Sequence, residues 1–303
     1  MADTRSTRLL TPRYWPAWAG LGLLWLSART LPYALALGAG RGLGRLAYVF
    51  ARERRHIAEV NLRLCFPELS APALQARLRA HFASLGIGLL MTGFAWWASD
   101  RKLKPLVEIE GVERLREALG RGRGVILLSA HFTDLEMTGR LLSLHHPFAV
   151  MYRRHENPVI ERAFQGNRKR RFSAAIPRDD IRRLLRALRD KLPVWYAPDQ
   201  SYRGPNSTLA PFFGVPAATN TGTARLARVS RAPVLLFTGR RLPGAQGYRL
   251  TISSPLEAFP SGDPQADAAR INGLIEAAVR QAPEQYLWVH RRFKKRPGLP
   301  DPY

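Results

Sequence analysis

Short apolar runs that are too brief for helices recur through the last two thirds of the chain, and they limit what it can fold into. They cover Val125 to Ala130, Phe148 to Tyr152, Val194 to Ala197, Val234 to Thr238 and Tyr248 to Ser253. Runs of this length, rich in β-branched and aromatic residues, read as strands. Between and around them, helical spacing predicts helices over Thr133 to Ser143, Pro158 to Arg170, Asp179 to Leu188, Thr221 to Val229 and Asp267 to Gln281. Such alternation requires an α/β sandwich, a mixed β-sheet flanked by helices. Upstream, Leu43 to Leu64 and Ala71 to Trp97 have helical apolar spacing with basic residues between. At 303 residues the chain can bury a large core, so one domain over 43–303 with an appendage over 1–42 is the natural division.

The appendage is apolar. Tyr14 to Ala28 carries no charge and is rich in Trp, Leu and Gly, and after Arg29 a second apolar piece runs from Thr30 to Gly40. A spanning helix needs about 20 mainly apolar residues, so the two pieces would have to join, burying Arg29 and kinking at Pro32. Trp15, Trp18 and Trp25 suit a membrane interface. Arg5, Arg8 and Arg13 precede the apolar region and Arg41, Arg45, Arg52, Arg54 and Arg55 follow it, so both flanks have cytoplasmic character. That symmetry suits an in-plane or re-entrant anchor. No small-residue cleavage site closes the region, which argues against a secretory signal.

A formal net charge of +24 draws the protein to polyanions. Arg168-Lys169-Arg170-Arg171, Arg291-Arg292 and Lys294-Lys295-Arg296 sit in no nucleic-acid-binding motif, and with the apolar N-terminus they point to an anionic membrane surface, not to nucleic acid. Cys65 is the only cysteine, so no intrachain disulfide can form and a reducing compartment is compatible. No His-Glu-x-x-His or paired-Cys spacing suggests zinc.

The pairing with most chemical content is His131 with Glu136, directly after the first predicted strand. A neutral imidazole can take a proton from an alcohol near pH 7, and a carboxylate on its other nitrogen would fix its tautomer. Thr133 and Glu136 also fit a capping box, which would give the glutamate a purely structural task. Asp134 competes as a partner for His131. The absence of a Gly-x-Ser-x-Gly elbow and the apolar setting of Cys65 argue against covalent catalysis by a serine or cysteine nucleophile. Sites in open α/β sheets gather at the carboxyl ends of strands; His131, Arg153 and Asp199 each follow a predicted strand, so their blocks should converge.

Several ordered blocks carry a resemblance that runs along nearly the whole chain: Leu-Thr-Pro-Arg-Tyr-Trp at 10–15, Asn-Leu-Arg-Leu-Cys-Phe-Pro-Glu at 61–68 and Ala-His-Phe-Thr-Asp-Leu-Glu at 130–136. Tyr-Arg-Arg-His-Glu-Asn-Pro at 152–158, Trp-Tyr-Ala-Pro-Asp-Gln at 195–200, Pro-Phe-Phe-Gly at 211–214 and Ala-Ala-Thr-Asn-Thr-Gly at 217–222 continue it, and Pro-Glu-Gln-Tyr-Leu-Trp-Val-His-Arg-Arg-Phe-Lys-Lys-Arg-Pro at 283–297 closes it. With these blocks the sequence resembles the bacterial lipid A biosynthesis acyltransferase family, nearest to its lauroyl-type members.

That resemblance implies a glycerolipid acyltransferase type of fold at the bacterial inner membrane, commonly with a single-pass anchor, and its catalytic domain on the cytoplasmic side. It implies transfer of a fatty acyl group from acyl carrier protein to a hydroxyl on a 3-hydroxyacyl chain of a Kdo-bearing lipid A precursor, without a cofactor. His131 would then be the base and Glu136 its orienting partner. Arg153 would stabilise the oxyanion or grip a substrate phosphate, with Asn157 beside it in the substrate site. Asp199 would orient basic groups, bind sugar hydroxyls or merely cap a turn; family members vary at the next position, here Gln200. Arg291 and Arg292, within the aromatic and basic block from Glu284 to Arg296, would belong either to a dock for lipid phosphate or carrier protein or to a packed tail.

Overall fold

The computed structural model describes residues 8–294 and 296–303; Arg5 of the basic flank and Lys295 of the C-terminal block lie outside them. The chain opens with α1 (Trp15–Thr30), α2 (Tyr33–Phe50), α3 (Arg52–Cys65), α4 (Ala71–Trp97) and a short α5 (Asp100–Leu103). Then follow β1 (Val107–Glu110), α6 (Val112–Gly120), β2 (Ile126–Leu128), α7 (Leu135–Ser143), β3 (Ala149–Tyr152), α8 (Pro158–Arg171), β4 (Ala174–Pro177), α9 (Ile181–Arg189) and β5 (Val194–Tyr196). The hairpin β6 (Ser207–Phe212) and β7 (Val215–Asn220) precedes α10 (Gly222–Ser230), β8 (Val234–Arg241), β9 (Tyr248–Pro255) and α11 (Pro264–Gln281).

Seven strands form one mixed sheet in the order β1-β9-β8-β2-β5-β3-β4, with only the β8–β9 pair antiparallel. The five expected strands are all present. β1, β4 and the β6–β7 hairpin are additional, being four-residue segments or strands interrupted by Pro211 and Pro216. The hairpin turns in two residues, and Phe213 and Gly214 both have positive φ (53° and 74°), as a turn matching strand twist requires.

Side chains alternate across the sheet and define two cores. On one face Ile126, Leu128, Val194 and Tyr196 pack with Leu184 and Leu188 of α9, Leu226 of α10 and Ile271 of α11. On the other, Leu127, Trp195 and Phe237 pack with α6, α7 and the ends of α1 and α2. α4 serves both, its first half joining the former core through Leu78 and Phe82 and its second half the latter through Met91 and Phe94.

The anchor differs from a single joined span. α1 has 16 residues, about 24 Å at 1.5 Å per residue, short of the roughly 30 Å hydrocarbon core. Leu31 and Pro32 are extended (ψ 135° and 149°), because a residue preceding proline is pushed out of the helical region, and α2 restarts at Tyr33. Lys102 closes the end of α1 by donating to the Ala28 and Leu31 carbonyls at 3.0 and 2.6 Å. The 42/43 division falls inside α2, and the predicted helix Leu43 to Leu64 is two pieces broken at Ala51. Among the described residues, the one helix long and apolar enough to cross a membrane is α4, and 67% of its apolar window is buried inside the protein. α1 and α2 instead leave Trp15, Leu23, Trp25, Leu46 and Phe50 exposed.

What holds α2 to α4 is close backbone approach. A Cβ on Gly86 would lie 2.2 Å from the Gly40 carbonyl oxygen and 2.3 Å from the Gly44 nitrogen, where only backbone could yield. Gly86→Ala should therefore lower stability by about 1–3 kcal/mol or more. Gly42→Ala, facing open space, should raise it by up to about 1 kcal/mol through helix propensity. Chemical denaturation of the two variants in detergent, followed by circular dichroism, tests the pair of opposite signs.

Candidate active site

Parallel pairing of β2 with β5 aligns Leu128 with Tyr196. Three residues beyond each partner stand His131 and Asp199, so the register carries them out of the sheet side by side. His131 is clamped twice: its backbone N–H donates to Asp199 Oδ2 at 3.0 Å and its Nδ1 lies 2.6 Å from Oδ1. Because a carboxylate only accepts, Nδ1 carries the proton, leaving the Nε2 lone pair free. Asp199 is 2% exposed at its side chain and His131 26%, so the base is reachable and its partner is sealed. Burial opposes charge on the imidazole, but the Asp199 carboxylate, by its charge and hydrogen bond, holds the pKa above the ordinary histidine value. Burial would likewise raise Asp199, yet the His131 charge, its two hydrogen bonds and one from Tyr286 hold it down at about 2.

The C-terminal block supports this pair from behind. Thr133 N–H donates to the Gln285 carbonyl at 2.7 Å and Leu287 N–H to the His131 carbonyl at 3.0 Å, fixing the His131 backbone against Tyr286. Trp288 and Phe293 are fully buried, and Trp288 Nε1 donates to the Pro283 carbonyl at 2.6 Å.

His131 opens onto a cleft of about 520 Å³, also lined by Thr92, Glu136, Arg153, Arg168 and Trp195. Glu136 lies there without touching His131, which corrects the expected pairing. From the second position of α7 its carboxylate turns across to α8, accepting from Arg168 at 2.5 Å and from Trp96 Nε1 at 3.0 Å. Nor is there a capping box: Asp134 occupies the N-cap position without a side-chain cap bond, and the Thr133 hydroxyl pairs with Ser84 at 2.8 Å. Asp134, the other contender for His131, is buried against Arg241.

Arg168 is the cleft residue that sequence reasoning missed. It sat in a basic run, 32 residues from Glu136, with no local signal of that partnership. The structure divides the run. Arg168 turns inward over Tyr152 and Phe164, at 5.1 and 4.6 Å, and Arg171 donates to the Trp96 carbonyl, while Lys169 and Arg170 face solvent.

The remaining expected site residues fall elsewhere. Arg153 reaches the cleft from its solvent rim, 64% exposed and paired with Glu156 at 2.9 Å. Asn157 is the N-cap of α8, its Oδ1 accepting from Val159 and Ile160, and it does not line the cleft. Arg292 is a core clamp and not part of a dock: 2% exposed, it donates to the Ala218 carbonyl, Thr219 Oγ1 and Asn272 Oδ1 at 2.9, 3.1 and 3.4 Å. Arg291 is exposed outside the cleft and meets Glu53 at 3.3 Å. His290 accepts from the Ser201 N–H at 3.2 Å, its pKa pushed down to about 4 by burial and by Lys294. Cys65 is buried, which pushes its thiol pKa well up, as suits a packing residue.

A histidine with a free Nε2, sealed by an aspartate and facing a cleft, can deprotonate a bound alcohol; the half-buried Glu136–Arg168 pair sets a fixed guanidinium in the same cleft. Comparison with known proteins agrees with chemistry of this kind. Residues 3–295 match the family model described as bacterial lipid A biosynthesis acyltransferase. The chain is 40% identical over 300 residues to the lipid A biosynthesis lauroyltransferase of Escherichia coli K12, covering 98% of each chain. It is 41% identical over 293 residues to that organism's palmitoleoyltransferase (96% of this chain, 95% of the relative) and 30% over 298 residues to its myristoyltransferase (96% and 91%). The chain therefore belongs to the bacterial lipid A biosynthesis acyltransferase family, and it is an acyltransferase.

Proposed function

We propose that this protein transfers a fatty acyl group from the thioester of acyl carrier protein to a hydroxyl of a 3-hydroxyacyl chain on a Kdo-bearing lipid A precursor. The observation that carries the reading is the His131–Asp199 pair facing the cleft with Nε2 unbonded to protein. Nε2 takes the hydroxyl proton as the oxygen attacks the thioester carbonyl. Asp199 stabilises the imidazolium, the C–O bond forms, the C–S bond breaks, and the departing sulfur receives the proton back from His131. A positioned base supplies roughly 100 to 10,000-fold, so the oxyanion needs stabilisation as well. Arg168, immobilised by Glu136 and the rings of Tyr152 and Phe164, suits that task because oxyanion donors work when preorganised and shielded from water. Exposed Arg153, at the rim, better suits gripping a phosphate of the acceptor. No step calls for a cofactor. Similar identities to lauroyl- and palmitoleoyltransferases favour no one acyl chain.

The exposed apolar residues of α1 and α2, with basic residues at both ends, support an in-plane attachment to the cytoplasmic surface of the inner membrane. Exposed Leu89 of α4 lies one turn from Thr92, which lines the cleft, so a lipid acceptor can enter sideways from the bilayer.

The pH profile tests the base. The kcat/KM should rise with pH along a limb whose pKa lies above the ordinary histidine value of about 6.5, since only neutral His131 accepts a proton. In Asp199→Asn the opposing effect of burial remains while the carboxylate is gone, so the limb should move to lower pH and the plateau fall roughly 100-fold or more. An unmoved limb in that variant would remove Asp199 from the mechanism. His131→Ala should abolish transfer while the protein still folds.

The Glu136–Arg168 pair should act as a unit. Glu136→Ala and Arg168→Ala should each lower turnover at least tenfold, and the double variant should lose little more than the worse single variant, because neighbouring groups in one network are non-additive. Steady-state rates of the three proteins complete the cycle, and independent multiplicative losses would dissolve the unit.

A further inference from the structure

Beyond the His131 cleft lies a second one, of about 590 Å³. Met151, Arg178, Ala197 and Gln200 line both, so the two are continuous past the ends of β3 and β5. The second cleft runs along α9 and α10, and through Leu185 and Val229 it adjoins a third hollow of about 340 Å³. His131 lines neither of these.

The surface around them is one-sided in charge. Arg178 and Arg225 line the second cleft and Arg123, Arg182, Arg186 and Arg189 the third, against the single carboxylate of Asp179. Arg123, Arg182 and Arg186 have no acidic partner among the described residues. The α9 sequence explains the display: Leu184 and Leu188 point into the core, which leaves Arg182, Arg186 and Arg189 exposed. Ile181 and Val229, 43% and 69% exposed, stand among these charges as apolar contacts.

We propose that this surface docks the acyl donor, an acidic protein carrying its acyl chain as a thioester on a flexible arm, and that the arm passes through the second cleft to His131. The inference rests on the acyl-transfer reading above. Three observations favour an acidic protein over a lipid surface. First, α9 and α10 cover the face of the sheet opposite the one packed against α1, so a bilayer meeting the exposed tryptophans of α1 cannot also meet these arginines. Second, an arm needs a channel that reaches the base, and the shared lining supplies it with polar groups at Gln200, Ser201, Asn206 and Asn220. Third, unpaired arginines around an apolar centre complement an acidic helix, steering encounter and fixing register.

The test compares the wild type with Arg182→Glu/Arg186→Glu, both exposed positions, and with Arg101→Glu/Arg116→Glu, an equal charge change on the α5 and α6 side. Each is assayed with an acyl carrier protein thioester and with the carrier-free acyl pantetheine thioester. For Arg182→Glu/Arg186→Glu the KM for the carrier thioester should rise about tenfold or more and lose its salt dependence. Its kcat/KM for acyl pantetheine should stay at the wild-type value, and Arg101→Glu/Arg116→Glu should change neither. An unchanged carrier KM would overturn the dock, as would an equal loss with both donors, which would mean a damaged fold or arm channel. Loss of binding to vesicles of phosphatidylglycerol and phosphatidylethanolamine with the carrier KM unchanged would reassign the surface to lipid. A wild type that ignores the carrier thioester altogether would instead bring down the choice of donor on which the dock rests.

Discussion

The pairing of β2 with β5 is the constraint on which the site depends. Two adjacent parallel strands, in register at Leu128 and Tyr196, deliver a histidine and an aspartate to the same height beyond the sheet without any loop having to search for the geometry. Everything around the pair serves to keep it there. Tyr286 hydrogen-bonds the carboxylate, and the backbone of residues 285–287 pairs with that of residues 131–133. Asn61 on α3 holds the Trp288 and His290 carbonyls at 2.6 and 2.8 Å, so the helical layer upstream is tied to the same support. The low pKa of Asp199 and the raised one of His131 are two sides of one buried interaction, and neither would survive a shift in strand register.

Charge in this protein divides by burial. Arg292, Arg241 and Arg140 are turned into the structure and spend their hydrogen bonds on carbonyls, hydroxyls and carboxylates. Arg168 is the intermediate case, half inside and facing the cleft. Others lie on the surface, among them Arg182 and Arg186 on the outer face of α9, where they can draw the anions that a net charge of +24 attracts. A basic run in the sequence is thus no guide to a basic patch, as residues 168–171 show: Arg168 faces the cleft, Arg171 binds a backbone carbonyl and the two between are solvated.

Much of the fold could be read from the sequence, because strands buried on both sides announce themselves as apolar runs and the apolar positions of α4 recur at helical spacing. The two four-residue strands and the proline-containing hairpin could not, since such short or interrupted segments carry no periodicity. In the site, His131 was legible from its place after a strand. Its partner was not: Asp199 is 68 residues away, and only the strand order makes it a neighbour. Glu136 looked like the partner because sequence distance is local, whereas α7 rotates its carboxylate toward α8. Arg292 was misplaced for a related reason, since the Ala218 carbonyl, Thr219 and Asn272 that it clamps are its neighbours only in the fold.

The antiparallel contact between residues 131–133 and 285–287 has a consequence for how the enzyme comes into being. The pairing of β2 with β5 does not involve residues 285–287, so the strands can come into register before the support behind the histidine is in place. A folding intermediate can therefore hold a finished sheet and an unseated base. Seating His131 is a separate event, governed by a segment that adds nothing to the seven-stranded sheet.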